Sequence, residues 1–186
     1  IYIIVIYKGD IAMSKSVNLY VVVPCYNEEA VLHETSKQML ELFGEMKNDG
    51  LINDNSRIVF VDDGSKDKTW SIIDELTKAH TEISGIKLAK NAGHQNALFG
   101  GLMTVKDDCD CAISIDADLQ DDIHVIPDMV RNFIDGYDVV YGVRNKRDTD
   151  TFFKRTTAVG FYKLMQFMGV NIVFNHADYR LMSKRA

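Results

Sequence analysis

The stretch Ile113-Ser114-Ile115-Asp116-Ala117-Asp118-Leu119-Gln120-Asp121-Asp122 changes from apolar to acidic within a few residues. Its apolar part predicts a buried strand, and its acidic part predicts the loop at the strand's carboxyl end. In an extended chain, Asp116, Asp118 and Gln120 would present oxygen atoms from one face. Mg²⁺ and Mn²⁺ prefer such ligands, and Mg²⁺ is often held by one or two carboxylates plus substrate phosphates. The stretch is therefore a candidate metal site, although a solvated acidic turn gives the same pattern.

Short apolar runs alternate with longer amphipathic stretches along the chain. Runs rich in β-branched residues predict five strands, at residues 19–23, 58–61, 86–88, 112–115 and 139–141. Helical spacing predicts five helices, at residues 28–47, 68–80, 95–105, 123–134 and 152–168. This alternation predicts an α/β fold of three layers, in which helices cover both faces of a mostly parallel central sheet.

Polar clusters follow the first four predicted strands, at residues 24–29, 62–67, 91–96 and 116–122. Ligands of open α/β folds bind beyond the carboxyl ends of the strands. Because the carboxyl ends of parallel strands lie at the same edge of the sheet, these clusters should meet there. Four converging polar loops predict a binding site more strongly than any one of them alone.

The composition excludes several classes of protein. A chain of 186 residues with 46% hydrophobic and 26% charged residues is typical of one globular domain. The net charge of -6 argues against nucleic-acid binding through a broad basic surface. Cys25, Cys109 and Cys111 lack the spacing of a disulfide framework or a structural zinc site, which fits a reducing, cytosolic setting.

The first residues of the chain are apolar, but Lys8 and Asp10 end the run well before the roughly 18 residues that a membrane-spanning helix needs. Met13 and the polar residues after it resemble a natural start. We therefore predict that residues 1–12 are an N-terminal extension and that residues 13–186 form the domain.

Two of the polar loops suggest contacts with a nucleotide. The carboxylates of Asp62 and Asp63 could accept hydrogen bonds from a ribose or a base, although a glycine-capped turn explains them equally well. Glycine beside Asn91 lets backbone N–H groups approach an anion at a helix N-terminus, which a merely capped loop would also do. His94 is open to two interpretations, a structural hydrogen bond or a contact with a phosphate or an acceptor.

Basic residues follow the fifth predicted strand, at Arg144, Lys146, Arg147, Lys154 and Arg155. Arginine forms bidentate, charge-assisted hydrogen bonds with phosphates, so this cluster is a candidate diphosphate-binding site. Solvated charges at the start of a helix are a common alternative. Near the end of the chain, residues 178 and 180 are an aspartate and an arginine that would share one face if extended.

Five segments of the sequence resemble family 2 inverting glycosyltransferases. They are Pro-Cys-Tyr-Asn-Glu-Glu at 24–29, Val-Asp-Asp-Gly-Ser-Lys-Asp at 61–67, Asn-Ala-Gly-His-Gln at 91–95, Asp-Ala-Asp-Leu-Gln-Asp at 116–121 and Ala-Asp-Tyr-Arg-Leu-Met at 177–182. The subgroup they resemble is the polyprenyl-phosphate hexosyltransferases, which use dolichyl or undecaprenyl phosphate. The resemblance covers about residues 18–183 in unbroken order. It implies a nucleotide-diphospho-sugar transferase fold, called GT-A.

The resemblance implies roles for the residues that match. Pro24, Tyr26 and Glu28 would hold the nucleotide base and ribose, with Asp62 or Asp63 beside them. Further substrate-binding candidates are Asn91, Gly93, His94, Gln95, Ala117 and Arg180.

The acidic and basic motifs would serve the reacting groups. Asp116 and Asp118 would bind the ribose, the diphosphate and a Mg²⁺ or Mn²⁺ ion, with Gln120 as a further metal ligand. Arg144 would meet the donor diphosphate or the lipid phosphate, as would the Lys154 and Arg155 pair.

Asp178 aligns with the proposed catalytic base, so Asp178, Asp118 and Arg144 are the candidate catalytic residues. A phosphomonoester has a second pKa of about 6, so a lipid phosphate is already largely dianionic at neutral pH. With that acceptor Asp178 would orient the attacking group rather than deprotonate it.

The implied reaction is the metal-dependent, inverting transfer of a hexose from a UDP- or GDP-hexose to polyprenyl phosphate at the cytoplasmic face of the membrane. Relatives of this subgroup commonly continue into amphipathic or membrane helices. We therefore expect that the chain is a soluble catalytic fragment of a longer protein that binds the membrane through a C-terminal region.

Two alternatives stay open at this stage. The same fold could extend a saccharide of a cell wall, capsule or lipopolysaccharide, or the domain could be a non-catalytic nucleotide-sugar binding module. The sequence also leaves open the sugar, the nucleotide base, the choice of Mg²⁺ or Mn²⁺, and the oligomeric state, a homo-oligomer included.

Overall fold

The computed structural model describes residues 2–8, 16–143 and 176–186, and for residues 2–8, 143 and 176–178 it describes the backbone only. Its strands are β1 (Tyr2–Lys8), β2 (Leu19–Cys25), β3 (Arg57–Asp62), β4 (Ile83–Lys87), β5 (Cys111–Ser114), β6 (Tyr137–Val143) and β7 (His176–Ser183). Its α-helices are α1 (Leu32–Asn48), α2 (Thr69–Ala79), α3 (His94–Val105) and α4 (Ile126–Ile134), the last preceded by a 3₁₀ turn at Ile123–Val125.

The strands form one seven-stranded sheet in the order β1-β6-β7-β5-β2-β3-β4. Strand β2 lies parallel to β3 and β5, and β3 lies parallel to β4. Strand β7 is antiparallel to both β5 and β6, and β1 is antiparallel to β6. All strands except β1 and β7 therefore run in one direction, which confirms the prediction of a mostly parallel central sheet.

The helices cover both faces of the sheet. Buried side chains of α1, α2 and α4 form one hydrophobic cluster with one face of the strands, in which Phe43, Phe60 and Phe133 are among the largest members. Helix α3 packs on the other face and forms a second cluster that includes Val22, Val61 and Leu98. The predicted three layers are therefore confirmed. Within the described ranges, no helix has the length and apolar character needed to cross a membrane.

Each predicted strand overlaps an observed strand, and four of the five predicted helices are present. Helix α1 begins at Leu32 rather than at Glu28, because a turn precedes it in which the Glu28 carbonyl accepts hydrogen bonds from the N–H groups of Val31 and Leu32. Strand β4 begins at Ile83, three residues before the predicted start at 86. The predicted helix at 152–168 lies outside the described residues.

Two strands, β1 and β7, were not predicted. The sequence of β7 mixes polar and apolar residues, and Tyr179, Leu181 and Ser183 are buried while Arg180 and Met182 between them are only partly buried. Strand β1 falls within the predicted N-terminal extension, and it pairs with β6 from Tyr2 opposite Val143 onward. The assignment of residues 1–12 as an N-terminal extension stays a prediction.

Helix α3 lies close to the sheet because glycine occupies its contact point. A Cβ atom on Gly101 would lie 2.7 Å from Val22 Cγ1 and 2.7 Å from Val61 Cγ2. A Cβ atom on the neighbouring Gly100 would meet nothing within 4 Å. The sequence therefore places a glycine where the helix backbone approaches β2 and β3, and this contact sets the position of the α3 N-terminus at the site described below.

Replacing the two glycines should have opposite effects on stability. Gly101→Ala should lower the free energy of unfolding, because overpacking costs about 1–3 kcal/mol and outweighs the gain in helix propensity. Gly100→Ala, the matched control, should raise it by up to about 1 kcal/mol. Chemical denaturation of both variants measures the difference, and equal shifts would contradict this packing.

Candidate functional site

The loops at the carboxyl ends of β2, β3, β4 and β5 meet around one cavity of about 300 Å³. The residues that line it are Pro24, Cys25, Tyr26, Glu28, Asp63, Asn91, Gly93, His94, Asp116, Ala117 and Asp118. All of them except Cys25 are residues that the sequence analysis assigned to the site. The cavity thus brings together residues from four separate segments of the chain.

The loop that carries Glu28 is fastened to the loop after β3. The N–H of Asn27 donates to Ser65 Oγ (3.0 Å), and the Asn27 side-chain oxygen accepts from the N–H of Lys66 (2.9 Å). The N–H of Glu28 donates to Thr69 Oγ1 (2.8 Å). Asn27 has a φ of 56°, a left-handed conformation that asparagine tolerates better than most residues. These bonds fix the loop and hold Glu28 at the cavity wall.

Asp63 joins three of the loops. It is 2% exposed, and its carboxylate accepts hydrogen bonds from the N–H groups of Ala92 (2.6 Å) and Gly93 (2.9 Å). Its own N–H donates to the Cys25 carbonyl oxygen (2.8 Å). Gly93 has a φ of 90°, which favours glycine, and directly precedes α3. Asp63 therefore shapes the cavity as well as lining it.

The neighbouring Asp62 is fully buried and does not line the cavity. Its Oδ1 accepts a hydrogen bond from the N–H of Ser65 (3.1 Å), while Oδ2 has no partner among the described residues. A Cβ atom on Gly64 would lie 2.6 Å from the backbone nitrogen of Asn91. Of the two aspartates that the sequence analysis left open for the nucleotide, Asp63 is the one at the cavity.

The acidic stretch turns rather than continuing as a strand. Strand β5 ends at Ser114, and Leu119 has a φ of 50°, so the extended geometry expected for residues 116–120 is wrong. The Gln120 amide nitrogen donates to Asp118 Oδ2 (2.7 Å), and its N–H donates to Asp118 Oδ1 (3.2 Å). Gln120 does not line the cavity, so its role as a metal ligand stays a prediction.

Negative charge accumulates at the cavity. The pKa of Glu28 lies above its ordinary value because Glu28 is partly buried and because the charges of Asp118, Asp67 and Asp116 surround it. His94 Nε2 lies 3.5 Å from Asp116 Oδ1. The negative charge at the cavity therefore favours a bound cation.

Cys25 also lines the cavity. Burial raises the pKa of its thiol, whose sulfur donates to the Val23 carbonyl, so this cysteine is not a nucleophile.

In the part of the chain that the structure describes, no group of three or more His, Cys, Asp or Glu residues could hold a metal ion. The pair Asp116 and Asp118 nevertheless fits Mg²⁺ or Mn²⁺, which protein sites commonly hold by one or two carboxylates and substrate phosphates. The pKa of Glu28 is raised by partial burial and, to a smaller extent, by repulsion from nearby carboxylates, and a cation at the cavity would relieve that repulsion.

Several predicted site residues lie elsewhere. Gln95 is exposed in the first turn of α3 and does not line the cavity. Arg180 is on β7 opposite Ser114, and it lines a separate apolar groove with Phe99 and Met103. Asp178 lies on β7, where the structure describes its backbone only. The remaining three candidates, Arg144, Lys154 and Arg155, lie outside the described residues.

Two residues that the sequence analysis missed hold the acidic stretch from outside. Thr35 of α1 is 2% exposed, and its hydroxyl donates to the Ala117 carbonyl oxygen (2.6 Å). The hydroxyl of Tyr179 on β7 donates to the Asp122 carbonyl oxygen (3.0 Å). For Thr35, the signal in the sequence is a polar residue on the apolar face of a predicted helix.

Comparison with known proteins places this chain in a family. The family model for glycosyl transferase family 2 matches residues 20–186. The chain belongs to glycosyl transferase family 2. An uncharacterized glycosyltransferase of Bacillus subtilis is 54% identical over 168 residues, which are 90% of this chain and 50% of that protein. The prophage bactoprenol glucosyl transferase homolog of Escherichia coli is 40% identical over 164 residues, which are 88% of this chain and 51% of that protein.

This family 2 chain thus spans about half the length of the curated relatives it matches. A solved structure with a similar fold is glucosyl-3-phosphoglycerate synthase from Mycobacterium tuberculosis with Mn²⁺, UDP and phosphoglyceric acid. It has a TM-score of 0.57 and 17% identity over 91% of this chain and 56% of that one. The expected GT-A-like fold is therefore confirmed.

Asp63→Asn should destabilise this family 2 domain. An asparagine offers one oxygen and directs its NH₂ group at the other backbone N–H, so one of the bonds from Ala92 and Gly93 is lost. A buried donor without a partner costs about 1–3 kcal/mol. Chemical denaturation measures the loss, and Asp54→Asn is the control because the Asp54 side chain is 98% exposed. Equal stability of the two variants would contradict the proposed link between loops.

Glu28→Gln should stabilise the metal-free protein at neutral pH. Since the folded-state pKa of Glu28 is raised, the associated stability is present below its ordinary value of 4.5 and is lost as the pH rises through the folded-state pKa. Glutamine stays uncharged, so the variant should unfold at a higher temperature than the wild type at pH 7 and at the same temperature near pH 4. Thermal unfolding with a chelator present measures this, with the exposed Glu45→Gln as control. A less stable Glu28→Gln protein at pH 7 would contradict the charge argument.

Proposed function

We propose that this chain is the donor-binding and catalytic part of a metal-dependent inverting glycosyltransferase that transfers a hexose to polyprenyl phosphate. The observation that carries the proposal is the cavity at the sheet edge, where the nucleotide-side loops and the Asp116-Ala117-Asp118 turn face one another. The donor would be a UDP- or GDP-hexose. The full-length protein would act at the cytoplasmic face of the membrane.

The nucleotide would bind on the side of β2 and β3. Tyr26 is 41% exposed and stands beside Pro24, which gives a base an apolar surface with an aromatic ring. The Asp63 carboxylate already accepts two backbone N–H groups and keeps further lone pairs for a ribose hydroxyl or a base. Glu28 lies between this side and the acidic turn, where it would contact the ribose.

The diphosphate would bind on the side of the acidic turn. Asp116 and Asp118 would hold a Mg²⁺ or Mn²⁺ ion, which would neutralise the charge that develops on the departing nucleoside diphosphate. The N–H groups at the start of α3, beside Gly93, could approach the same phosphates. Without a cation, the carboxylates at the cavity would repel a diphosphate.

The acceptor would attack the anomeric carbon from the face opposite the leaving group, which inverts the configuration. A lipid phosphate is already dianionic at neutral pH, because the second pKa of a phosphomonoester is about 6. Asp178 would then orient the acceptor, while Arg144, Lys154 and Arg155 would neutralise phosphate charge. The name of the Escherichia coli bactoprenol glucosyl transferase homolog supports a lipid phosphate as acceptor.

A panel of UDP, GDP, UDP-glucose and GDP-mannose, with and without Mn²⁺ or Mg²⁺, tests the donor and the metal. A ligand at 100 times its dissociation constant should add about 2.7 kcal/mol of stability in a thermal-unfolding assay. Asp118→Asn should remove the metal-dependent part of the shift and leave the metal-independent part. Asp128→Asn, an exposed aspartate of α4, is the control. A wild-type protein that gives no metal-dependent shift with any of them would overturn the proposal.

The acceptor is tested by transfer of labelled hexose from the donor that binds. Short-chain polyprenyl phosphate should become labelled, and saccharides with free hydroxyl groups should not. If only saccharides become labelled, the enzyme extends a glycan and a lipid phosphate is not its acceptor. Tight donor binding without transfer to either acceptor would favour a non-catalytic module.

A further inference from the structure

Thr35 connects helix α1 to the acidic turn across 82 residues of sequence. Its Oγ1 lies 2.6 Å from the carbonyl oxygen of Ala117, the residue between the two candidate metal ligands. The Thr35 side chain and Ala117 are both buried, at 2% and 3% exposure. This hydrogen bond is therefore shielded from water, where its loss would leave a buried carbonyl without that partner.

The hydroxyl proton of Thr35 has two carbonyl oxygens within reach, that of Ala117 and that of Val31 at 3.0 Å. The Val31 carbonyl already accepts the helical hydrogen bond from the Thr35 N–H (2.9 Å). The Ala117 oxygen is closer and belongs to a turn rather than to a helix. The hydroxyl therefore contributes most as a donor to Ala117.

The acidic turn depends on support from outside itself. Leu119 adopts a left-handed conformation with a φ of 50°, which costs free energy for a residue with a Cβ atom. The backbone hydrogen bond inside the turn, from the Leu119 N–H to the Asp116 carbonyl, is long at 3.4 Å, and the two bonds from Gln120 reach only the Asp118 side chain. The bond from Thr35 fixes the carbonyl of Ala117 and so sets the peptide plane that precedes Asp118.

Helix α1 also begins beside the nucleotide side of the cavity. The Glu28 carbonyl accepts hydrogen bonds from Val31 and Leu32 at the start of α1, and Glu28 itself lines the cavity. Thr35 is one helical turn further along. The helix thus joins Glu28 to Ala117, and the two sides of the cavity are held in a fixed relation through it.

We propose that Thr35 is a positioning residue, which holds the Asp116-Ala117-Asp118 turn in the orientation that binds the metal ion and the donor diphosphate. The inference rests on the proposed function above. Thr35 does not line the cavity and would touch neither the substrate nor the metal. It would act through the Ala117 carbonyl.

The test compares Thr35→Val, which keeps the shape and removes the hydroxyl, with Thr35→Ser, which keeps the hydroxyl. Ser36→Ala is the matched control, because Ser36 is equally buried in the same helix but its hydroxyl donates to the His33 carbonyl within that helix. Titration calorimetry measures Mn²⁺ binding in the presence of the nucleoside diphosphate, UDP or GDP, that binds the wild-type chain. Nucleotide binding without Mn²⁺ and thermal unfolding are measured on each variant.

Thr35→Val should weaken Mn²⁺ binding about 10- to 100-fold. This is the usual loss when a hydrogen-bonding group that orients a metal ligand is removed. Nucleotide binding without Mn²⁺ should be unchanged, and Thr35→Ser and Ser36→Ala should bind Mn²⁺ like the wild type. Wild-type Mn²⁺ affinity in Thr35→Val would overturn the inference while leaving the proposed function intact. Equal losses in Thr35→Val and Ser36→Ala would assign Thr35 a merely structural role. Absence of Mn²⁺ binding in the wild type would instead overturn the proposed function, and the inference with it.

Discussion

The rest of the site depends on the hydrogen bonds that the buried Asp63 carboxylate accepts. Asp63 lies on the loop after β3, donates its N–H to the end of β2, and accepts the N–H groups of Ala92 and Gly93 from the loop after β4. A parallel sheet brings strand ends together, but it does not determine how the loops beyond them are arranged. One residue does so for three of the four loops here, through two side-chain acceptor oxygens and its backbone N–H. The fourth loop, which follows β5, is held instead by Thr35 of α1 and Tyr179 of β7.

The crowding of carboxylates at the cavity lowers the stability of the protein but favours the binding of a cation. Glu28, Asp116 and Asp118 line one cavity, and the partial burial of Glu28, together with repulsion from nearby carboxylates, raises the pKa of Glu28. With Asp63, four carboxylates line this cavity, an arrangement that stability alone would not favour. The neighbouring Asp67 is in the opposite situation. Partial burial raises its pKa, but hydrogen bonds from Thr69 and Glu29 outweigh that effect, and the pKa of Asp67 falls below its ordinary value. The hydrogen bonds that Asp67 accepts thus support the loops, whereas Glu28 carries its charge at the cavity.

The sequence predicted the parts of the molecule that local pattern determines. Apolar runs located the five strands that share one direction, and the polar loops after them located ten residues of the cavity wall. The antiparallel strand β7 was missed because its pairing with β5 and β6 is non-local and because residues 176–183 lack the β-branched apolar run that located the other strands. The start of α1 was placed too early because Glu28 has good helix propensity, whereas its N–H donates to Thr69 at the start of α2 and its carbonyl accepts hydrogen bonds in a turn. No local pattern separates Asp62 from Asp63, since only the folded loops show which one reaches the cavity.

The acidic turn explains why a metal site here would be incomplete without its substrate. Two carboxylates supply too few ligands for Mg²⁺ or Mn²⁺, and the residues that the structure describes contain no larger group that could hold a metal ion. Under the proposed function, water and the diphosphate of the donor would supply further ligands. Under the proposed function, the cation and the nucleotide would therefore bind together, because each supplies what the other lacks. Such mutual dependence requires the two carboxylates to be aimed correctly before either ligand arrives, and Leu119 in a left-handed conformation cannot ensure this alone. The buried hydroxyl of Thr35, which donates to the Ala117 carbonyl between the two carboxylates, would supply such support.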